Sequence, residues 1–211
     1  MQNVYNLLIL DESGSMGSIA EATVSSFNES VQHIKLESEK HPEQRQYVSI
    51  VIFNSHSIRR ILDRAPASEA GELNQQTYQP GGMTPLLDAV GESIYHLERH
   101  LANDSEAQVL VTVLTDGLEN NSREYTYDSI HQTIKRLEKG NWTFTYIGTD
   151  HDVFEQSEKM GISKANVAHF PKSAAGVQYF MDKFGRHRSK YYAALRSEPT
   201  SVKRKAFFEE E

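Results

Sequence analysis

Short apolar runs alternate with segments of helical periodicity along most of this 211-residue chain. The first run, Val4–Leu10, is almost continuously apolar, which is typical of a strand buried on both faces. Strands that alternate with helices form βαβ units, and such units build a mostly parallel sheet with helices on both faces. The sequence therefore predicts a three-layer α/β fold. Strands are predicted at Val4–Leu10, Tyr47–Asn54, Ser57–Leu62, Ala107–Thr115, Trp142–Ile147 and Asn166–Phe170.

One strand is expected to run against the others. Ser57–Leu62 follows Tyr47–Asn54 across the tight connection Asn54-Ser55-His56, as the second arm of a hairpin does. We therefore predict one antiparallel strand at an edge of the sheet.

Helices are predicted where apolar residues recur every three or four positions. The first such stripe begins at Ile19 and ends at Leu36. Thr84-Pro85 opens another helix, with Thr84 as the expected cap and Pro85 at the first helical position. Further helices are predicted at Asp128–Lys139, Asp152–Met160 and Ser173–Leu195.

The length of the chain suits one compact domain. We expect residues 1–198 to form it and residues 199–211 to form a charged tail. Phe207-Phe208 is out of place in a free charged end, so we expect the tail to dock on its own domain or on a partner.

Composition excludes several classes of protein. The formal net charge of −7 argues against a nucleic acid partner, because nonspecific affinity for phosphates comes from clustered Lys and Arg. The absence of cysteine removes disulfides, thiolate metal sites and cysteine nucleophiles. Met1-Gln2-Asn3 has no basic residue, and the apolar run that follows is too short to span a bilayer. The sequence therefore predicts a cytoplasmic protein with no membrane segment.

Three separate segments carry hydroxyl and carboxyl groups at the ends of predicted strands or at the start of a helix. They are Asp11-Glu12-Ser13-Gly14-Ser15, then Thr84, then Thr115-Asp116-Gly117. In open parallel sheets, ligands bind beyond the carboxyl ends of the strands, so the three segments are expected to meet at one edge. Hydroxyl and carboxylate oxygens suit Mg²⁺, Mn²⁺ or Ca²⁺ rather than a soft metal.

This pattern resembles the signature of von Willebrand factor A domains, which is Asp-x-Ser-x-Ser, a distant Thr and a later Thr-Asp-Gly. Asp11, Ser13 and Ser15 match the first loop of that signature, Thr84 the second and Asp116 the third. The resemblance extends from the first strand to the final helix. Gly81–Leu86 and Thr115–Asn120 look like the small bacterial and phage members, as does Tyr146-Ile147-Gly148.

The resemblance implies a Rossmann-like domain that holds Mg²⁺ or Mn²⁺, in preference to Ca²⁺, at the top of its sheet. It implies that Ser13, Ser15 and Thr84 contact the metal, while Asp11 and Asp116 often act through water. A Glu or Asp of a protein partner would complete the coordination. Domains of this family usually bind rather than catalyse, and stand-alone bacterial members commonly work inside multi-protein systems.

Two other functions remain open at this point. A metal-dependent hydrolase of phosphate esters is compatible with clustered carboxylates, but no general base, nucleophile elbow or phosphate-binding loop is evident. A nucleic-acid-associated subunit is the other alternative. It would act through Arg186-His187-Arg188 and the nearby Lys190, Tyr191 and Tyr192, for which a solvated helix face is the simpler interpretation.

Single residues near these motifs have ordinary explanations as well. Glu12 would tune the affinity of the site or face solvent. His96 and His100 share a helical face with zinc-binding spacing, but a solvated face is the preferred interpretation. Asp150 and Asp152 would line the rim of the metal site, or Asp152 would cap the next helix.

Overall fold

The computed structural model describes residues 1–149, 153–197 and 207–208. Asp150 and Asp152 lie outside the described residues, and so does most of the tail. The strands are β1 (Gln2–Asp11), β2 (Gln44–Asn54), β3 (Ser57–Pro66), β4 (Gln108–Leu114), β5 (Trp142–Gly148) and β6 (Val167–His169). The helices are α1 (Ala20–Lys40), α2 (Leu86–His100), α3 (Tyr127–Leu137), α4 (Val153–Lys159) and α5 (Ala174–Ser197).

The strands form one sheet in the order β3-β2-β1-β4-β5-β6. All neighbours pair in parallel except β2 and β3, whose pairing is antiparallel. The predicted three-layer α/β fold with one antiparallel edge strand is therefore confirmed. β1 lies between β2 and β4, so the residues that follow β1 and β4 emerge side by side at the same edge of the sheet.

Alternate residues of each central strand bury against opposite helical layers. In β1, Leu8 and Leu10 belong to a core shared with α1 and α5. Leu7 and Ile9 belong to a second core shared with α2, α3 and α4. This two-sided burial explains why β1 reads as a continuous apolar run, because neither face of a central parallel strand meets water. Among the described residues, no helix combines the length and the apolar character needed to cross a bilayer.

The apolar stripe of α1 is shorter than its sequence indicates. Phe27, Val31 and Ile34 are buried against the sheet, but Leu36 is 54% exposed. The prediction that Leu36 lies on the buried face was wrong, since its position falls on the far side of the helix from Ile34.

Phe207 and Phe208 pack against the body of the domain. Phe207 is 6% exposed, and its ring centroid lies 5.4 Å from that of Phe184 on α5. Its backbone N–H donates to Asn166 Oδ1 at 2.7 Å, and the N–H of Phe208 donates to the carbonyl oxygen of Ala165 at 2.8 Å. This part of the tail therefore docks on its own domain.

We expect Phe207→Ala to lower the free energy of unfolding by about 1–2 kcal/mol, less than a typical core Phe→Ala change, because a docked segment near a chain end can detach locally. Denaturant titration of the full chain measures the loss. Phe154→Ala is the matched control, since Phe154 is 40% exposed on α4. An equal loss in the two variants would contradict a docking role for Phe207.

Candidate metal centre

Asp11, the last residue of β1, is held by hydrogen bonds from three directions. Its Oδ1 accepts from the backbone N–H of Ser13 at 2.7 Å, and its Oδ2 accepts from Thr115 Oγ1 at 2.6 Å. Its carbonyl oxygen accepts from the hydroxyl of Tyr78 at 2.7 Å. Since Thr115 directly follows β4, the contact between Asp11 and Thr115 ties the first and third predicted loops together.

A chain of hydroxyl contacts continues from this aspartate. Ser13 Oγ lies 3.1 Å from Ser15 Oγ, and Ser15 Oγ donates to Asp116 Oδ1 at 2.6 Å. Ser13 and Asp116 are buried, whereas Ser15 is exposed. Four of the five residues expected to hold a metal therefore form one connected group at the carboxyl edge of the sheet.

Thr84 reaches the same space from the second loop. A Cβ placed on Gly117 would lie 3.1 Å from Thr84 Oγ1, 3.3 Å from Ser15 Oγ and 3.6 Å from Asp11 Oδ2. Because Gly117 of the third loop has no side chain, room is left beside it for oxygen atoms of the first and second loops. The structure thus brings Asp11, Ser13, Ser15, Thr84 and Asp116 together.

The expected capping role of Thr84 was wrong. Helix α2 begins at Leu86 after Pro85, and no side chain at that preceding position caps it. Glu119 and Ser122 supply the cap from the loop after β4: the N–H of Leu87 donates to Glu119 Oε2 at 2.9 Å, and the N–H of Asp88 donates to Ser122 Oγ at 3.1 Å. Because other residues satisfy these helix N–H groups, the hydroxyl of Thr84 is not needed for capping.

The same loop fixes the backbone of Thr84. Its N–H donates to Asn120 Oδ1 at 2.8 Å, and its carbonyl oxygen accepts from the N–H of Asn120 at 3.2 Å. The segment Glu119–Ser122 therefore positions the second loop relative to the third. The polar run Glu119-Asn120-Asn121-Ser122 was visible in the sequence, but nothing in it indicated a helix more than thirty positions earlier.

Burial makes the two aspartates costly as bare anions. Burial raises the pKa of Asp11 to about 6, although the hydrogen bonds from Thr115 and Ser13 oppose the shift. The nearby charge of Asp116 raises that pKa further. In the part of the chain that the structure describes, no basic side chain forms an ion pair with Asp11. A cation placed between the two carboxylates would offset this cost.

The donor set fits a hard divalent cation. Two carboxylates and three hydroxyls converge, and all five are oxygen donors of the kind that Mg²⁺ and Mn²⁺ accept. The buried Oδ2 of Asp116 receives no directed hydrogen bond, so a cation can compensate its charge. No group of three or more His, Cys, Asp or Glu side chains placed to hold a metal occurs within the described ranges. The candidate site is not of that type, because hydroxyls make up most of its donors.

Glu12 turns away from these donors and is buried, so of the two interpretations offered for it, exposure to solvent was wrong. It is 2% exposed, and both of its carboxylate oxygens lie 2.8 Å from Arg59 Nη2 on β3. Glu12 Oε1 also accepts from the backbone N–H of Gln79 at 2.5 Å. Glu12 thereby links β3 to the segment that leads into Thr84.

Lys172 is another residue near the site that the sequence analysis did not identify. It lies between β6 and α5, and its Nζ is 2.7 Å from Asp116 Oδ2. A lysine that follows a parallel strand at the same edge of the sheet was the available signal, since that edge was expected to hold the site.

Most of the basic and aromatic residues in this stretch of α5 are buried, although Arg186 and Lys190 are exposed. His187, Tyr191 and Tyr192 are buried, and Arg188 is 0% exposed with its guanidinium 4.5 Å from the ring centroid of Phe184. Both interpretations of this stretch, a nucleic-acid surface and a solvated face, were therefore wrong for most of its residues. They fail because α5 packs against α1 along this length.

The two histidines on α2 contact residues of β3. His96 Nε2 lies 3.3 Å from Asp63 Oδ2, and His100 Nδ1 contacts the guanidinium of Arg64. His96 is half-buried and His100 is exposed, so the preferred interpretation of a solvated helix face holds for His100 and in part for His96.

The fold and the placement of these loops define a von Willebrand factor A domain fold. A von Willebrand factor type A protein from Catenulispora acidiphila superposes with a TM-score of 0.60 at 15% identity, over 89% of this chain and 43% of that one. The pilus adhesin SpaC from Lactobacillus rhamnosus GG superposes with a TM-score of 0.64 at 14% identity, over 90% of this chain and 31% of that one. The chain thus spans less than half the length of these two structures.

A third solved structure is that of a metal-loaded protein. The manganese-loaded TRAP protein of Plasmodium vivax superposes with a TM-score of 0.53 at 17% identity, over 85% of this chain and 74% of that one. At these identities the likeness establishes the fold alone. No sequence-family model matches this chain, and no curated protein sequence does either.

Proposed function

We propose that this chain is a metal-dependent protein-interaction module that binds Mg²⁺ or Mn²⁺ through Asp11, Ser13, Ser15, Thr84 and Asp116. The observation that carries the proposal is the convergence of these oxygen donors around the space beside Gly117. The manganese-loaded structure of the same fold supports the choice of a divalent cation.

The partner supplies a Glu or Asp carboxylate to the bound cation. The three hydroxyl donors are neutral, and with Asp11 and Asp116 acting through water the cation keeps an attraction for an incoming anion. Met83 and Leu118, each 49% exposed, flank Thr84 and Asp116 in sequence. The acidic residue of the partner is therefore one with apolar neighbours, which would contact these two side chains. The module acts in the cytoplasm as part of a multi-protein bacterial system and is not itself an enzyme.

The metal would supply a coordination point and no reaction. The residues of the chain orient it: Thr115 and the Ser13 backbone hold Asp11, Ser15 holds Asp116, and Asn120 holds Thr84. A site pre-organised in this way loses little entropy when it binds, because its side chains are already fixed.

Asp116→Ala is expected to abolish the stabilisation that Mg²⁺ or Mn²⁺ gives to the chelator-stripped protein. At about ten times the dissociation constant, that stabilisation amounts to about 1.4 kcal/mol in the wild type. Thermal unfolding across a cation titration measures it for both proteins.

Asp182→Ala is the matched control, because it removes the same charge from an exposed position of α5. It should keep the full cation response. A wild-type protein that neither cation stabilises, or an Asp116→Ala variant that responds like the control, would refute metal binding at this site.

A further inference from the structure

Lys172 is carried on a short segment that is fixed at the edge of the sheet where the candidate metal centre lies. Just before it, the N–H of Phe170 donates to the carbonyl oxygen of Gly148 at 3.0 Å. Just after it, the N–H of Ser173 donates to the carbonyl oxygen of Pro171 at 2.7 Å, and Ser173 Oγ accepts from the N–H of Gly176 at 3.1 Å. These bonds hold the segment close to Gly148 and to the start of α5.

The close approach of helix and segment depends on a glycine. A Cβ on Gly176 would lie 2.2 Å from the carbonyl oxygen of Pro171, a distance that no side chain tolerates. The backbone on both sides of Lys172 is thus packed together, and its side chain extends from a well-defined position toward Asp116.

The ammonium group of Lys172 lies beside one of the proposed ligand oxygens. Nζ lies 2.7 Å from Asp116 Oδ2, while the other oxygen, Oδ1, accepts from Ser15. The side chain of Asp116 is fully buried, and that of Lys172 is 35% exposed. The approach is close enough for an ion pair, but Oδ2 receives no directed hydrogen bond. A partly solvated ammonium without a directed bond is easier to displace than a fully enclosed one.

We propose that Lys172 is the resident cation of the metal centre, which neutralises Asp116 when no metal is bound and must leave when a divalent ion binds. This inference rests on the proposed function, since it concerns the regulation of that same site. A divalent ion held by Asp116 and an ammonium group 2.7 Å from the same carboxylate would repel each other at short range.

Displacement has two consequences. The affinity for the cation is lower than the donor set alone would give, so half-saturation of the site needs a higher cation concentration. The released side chain also stands beside the loaded metal, on the segment that leads directly into α5. Loading of the site is therefore coupled to the position of the Lys172 side chain.

The first test is isothermal titration calorimetry of the full chain with Mg²⁺ and with Mn²⁺. It compares the dissociation constants of the wild type, Lys172→Gln and Lys190→Gln. Lys190 is exposed on α5, so its substitution removes the same charge away from the site. Lys172→Gln is expected to bind both ions about tenfold more tightly, a gain between the value of an exposed and a buried ion pair. Lys190→Gln is expected to match the wild type.

The outcomes separate this inference from the function on which it rests. Equal or weaker binding by Lys172→Gln, with normal binding by the wild type, overturns the role of Lys172 and leaves the metal site standing. No binding by any of the three proteins refutes the proposed function, and the inference falls with it.

A second measurement needs no variant and reports displacement directly. The rate at which an acetylating reagent modifies Lys172 is followed by mass spectrometry with and without saturating Mg²⁺, with Lys190 as internal reference. We expect the rate at Lys172 to rise several-fold and the rate at Lys190 to stay constant. A rate at Lys172 that Mg²⁺ leaves unchanged overturns the displacement, even if the titrations show tighter binding by Lys172→Gln.

Discussion

Phe184→Ala is expected to lower the free energy of unfolding by about 3–5 kcal/mol, the typical range for a buried Phe-to-Ala change. Phe184 is 0% exposed at the centre of an aromatic cluster on α5. Its ring centroid lies 6.2 Å from that of Phe180, 5.4 Å from that of Phe207 and 5.9 Å from that of Phe208. Removal of the ring leaves a cavity that several side chains from different segments would have to close.

The loss also removes the aromatic face beneath a buried charge. The guanidinium of Arg188 lies 4.5 Å from the Phe184 ring and donates from Nη1 to the carbonyl oxygen of Ser30 at 2.9 Å. Without the ring, a charge that burial already penalises loses a favourable contact. This is why we place the effect at the upper end of the range.

Denaturant unfolding of the full chain measures the effect. Tyr179→Ala is the matched control on the same helix, since Tyr179 is 69% exposed, and we expect its free energy of unfolding to change by no more than about 0.5 kcal/mol. If Phe184→Ala cost no more than this control, the aromatic cluster would not contribute to holding α5 on the domain.

Glu12→Ala is expected to cost about 2–3 kcal/mol of stability, because it leaves one buried and one partly buried donor without an acceptor. The N–H of Gln79 and the side-chain amide of Asn54, at 2.5 and 3.3 Å from the carboxylate, lose their partner. Arg59 also loses its ion pair, but its side chain is 39% exposed and recovers water, which limits the cost.

The same substitution is expected to weaken cation binding about tenfold if the proposed site binds metal, which corresponds to about 1.4 kcal/mol of binding free energy. Glu12 does not face the metal donors, so the loss of affinity would arise because the loop that carries Thr84 changes position. Its backbone carbonyl accepts from the N–H of Gly81 at 2.9 Å, and its side chain holds Gln79. Loss of the carboxylate would release Gln79 while the backbone hydrogen bond to Gly81 stays, so the loop that carries Thr84 would lose one of its two attachments to residue 12.

Cation titration and denaturant unfolding of Glu12→Ala, Arg59→Met and the double variant separate the two effects. Glu21→Ala is the charge control, because Glu21 is exposed in the first turn of α1. A Glu12→Ala protein that binds the cation as well as the control would show that the loop keeps its position without the carboxylate.

The strands and the meeting of the three loops could be predicted from the sequence. A strand buried on both faces has few residue choices, so Val4–Leu10 and Ala107–Thr115 stand out as apolar runs. Polar residues directly after such runs must lie at the carboxyl edge of a parallel sheet. The order of the strands then places Asp11 beside Thr115. The hydrophobic pattern and the parallel direction of the strands were enough to predict that these loops meet.

Helix faces were less well predicted where long or aromatic side chains alternate with charges. The stretch from Arg186 to Tyr192 has a mixed composition that fits either a surface or an interface. α1 covers it, and the aliphatic stem of Arg188 packs with its charge buried. Leu36 shows the opposite case, an apolar residue whose helical position turns it to solvent.

The sequence by itself determined the α/β architecture, the antiparallel edge strand and the loops that carry the candidate ligands, because each depends on the properties of neighbouring residues. Only the tertiary structure decided that Glu119 and Ser122 cap α2 in place of Thr84, that Arg59 pairs with Glu12 and that Lys172 reaches Asp116. These contacts join residues far apart in the chain. Which residues pair is set by how the strands and helices pack. A local pattern of residue types does not contain that information.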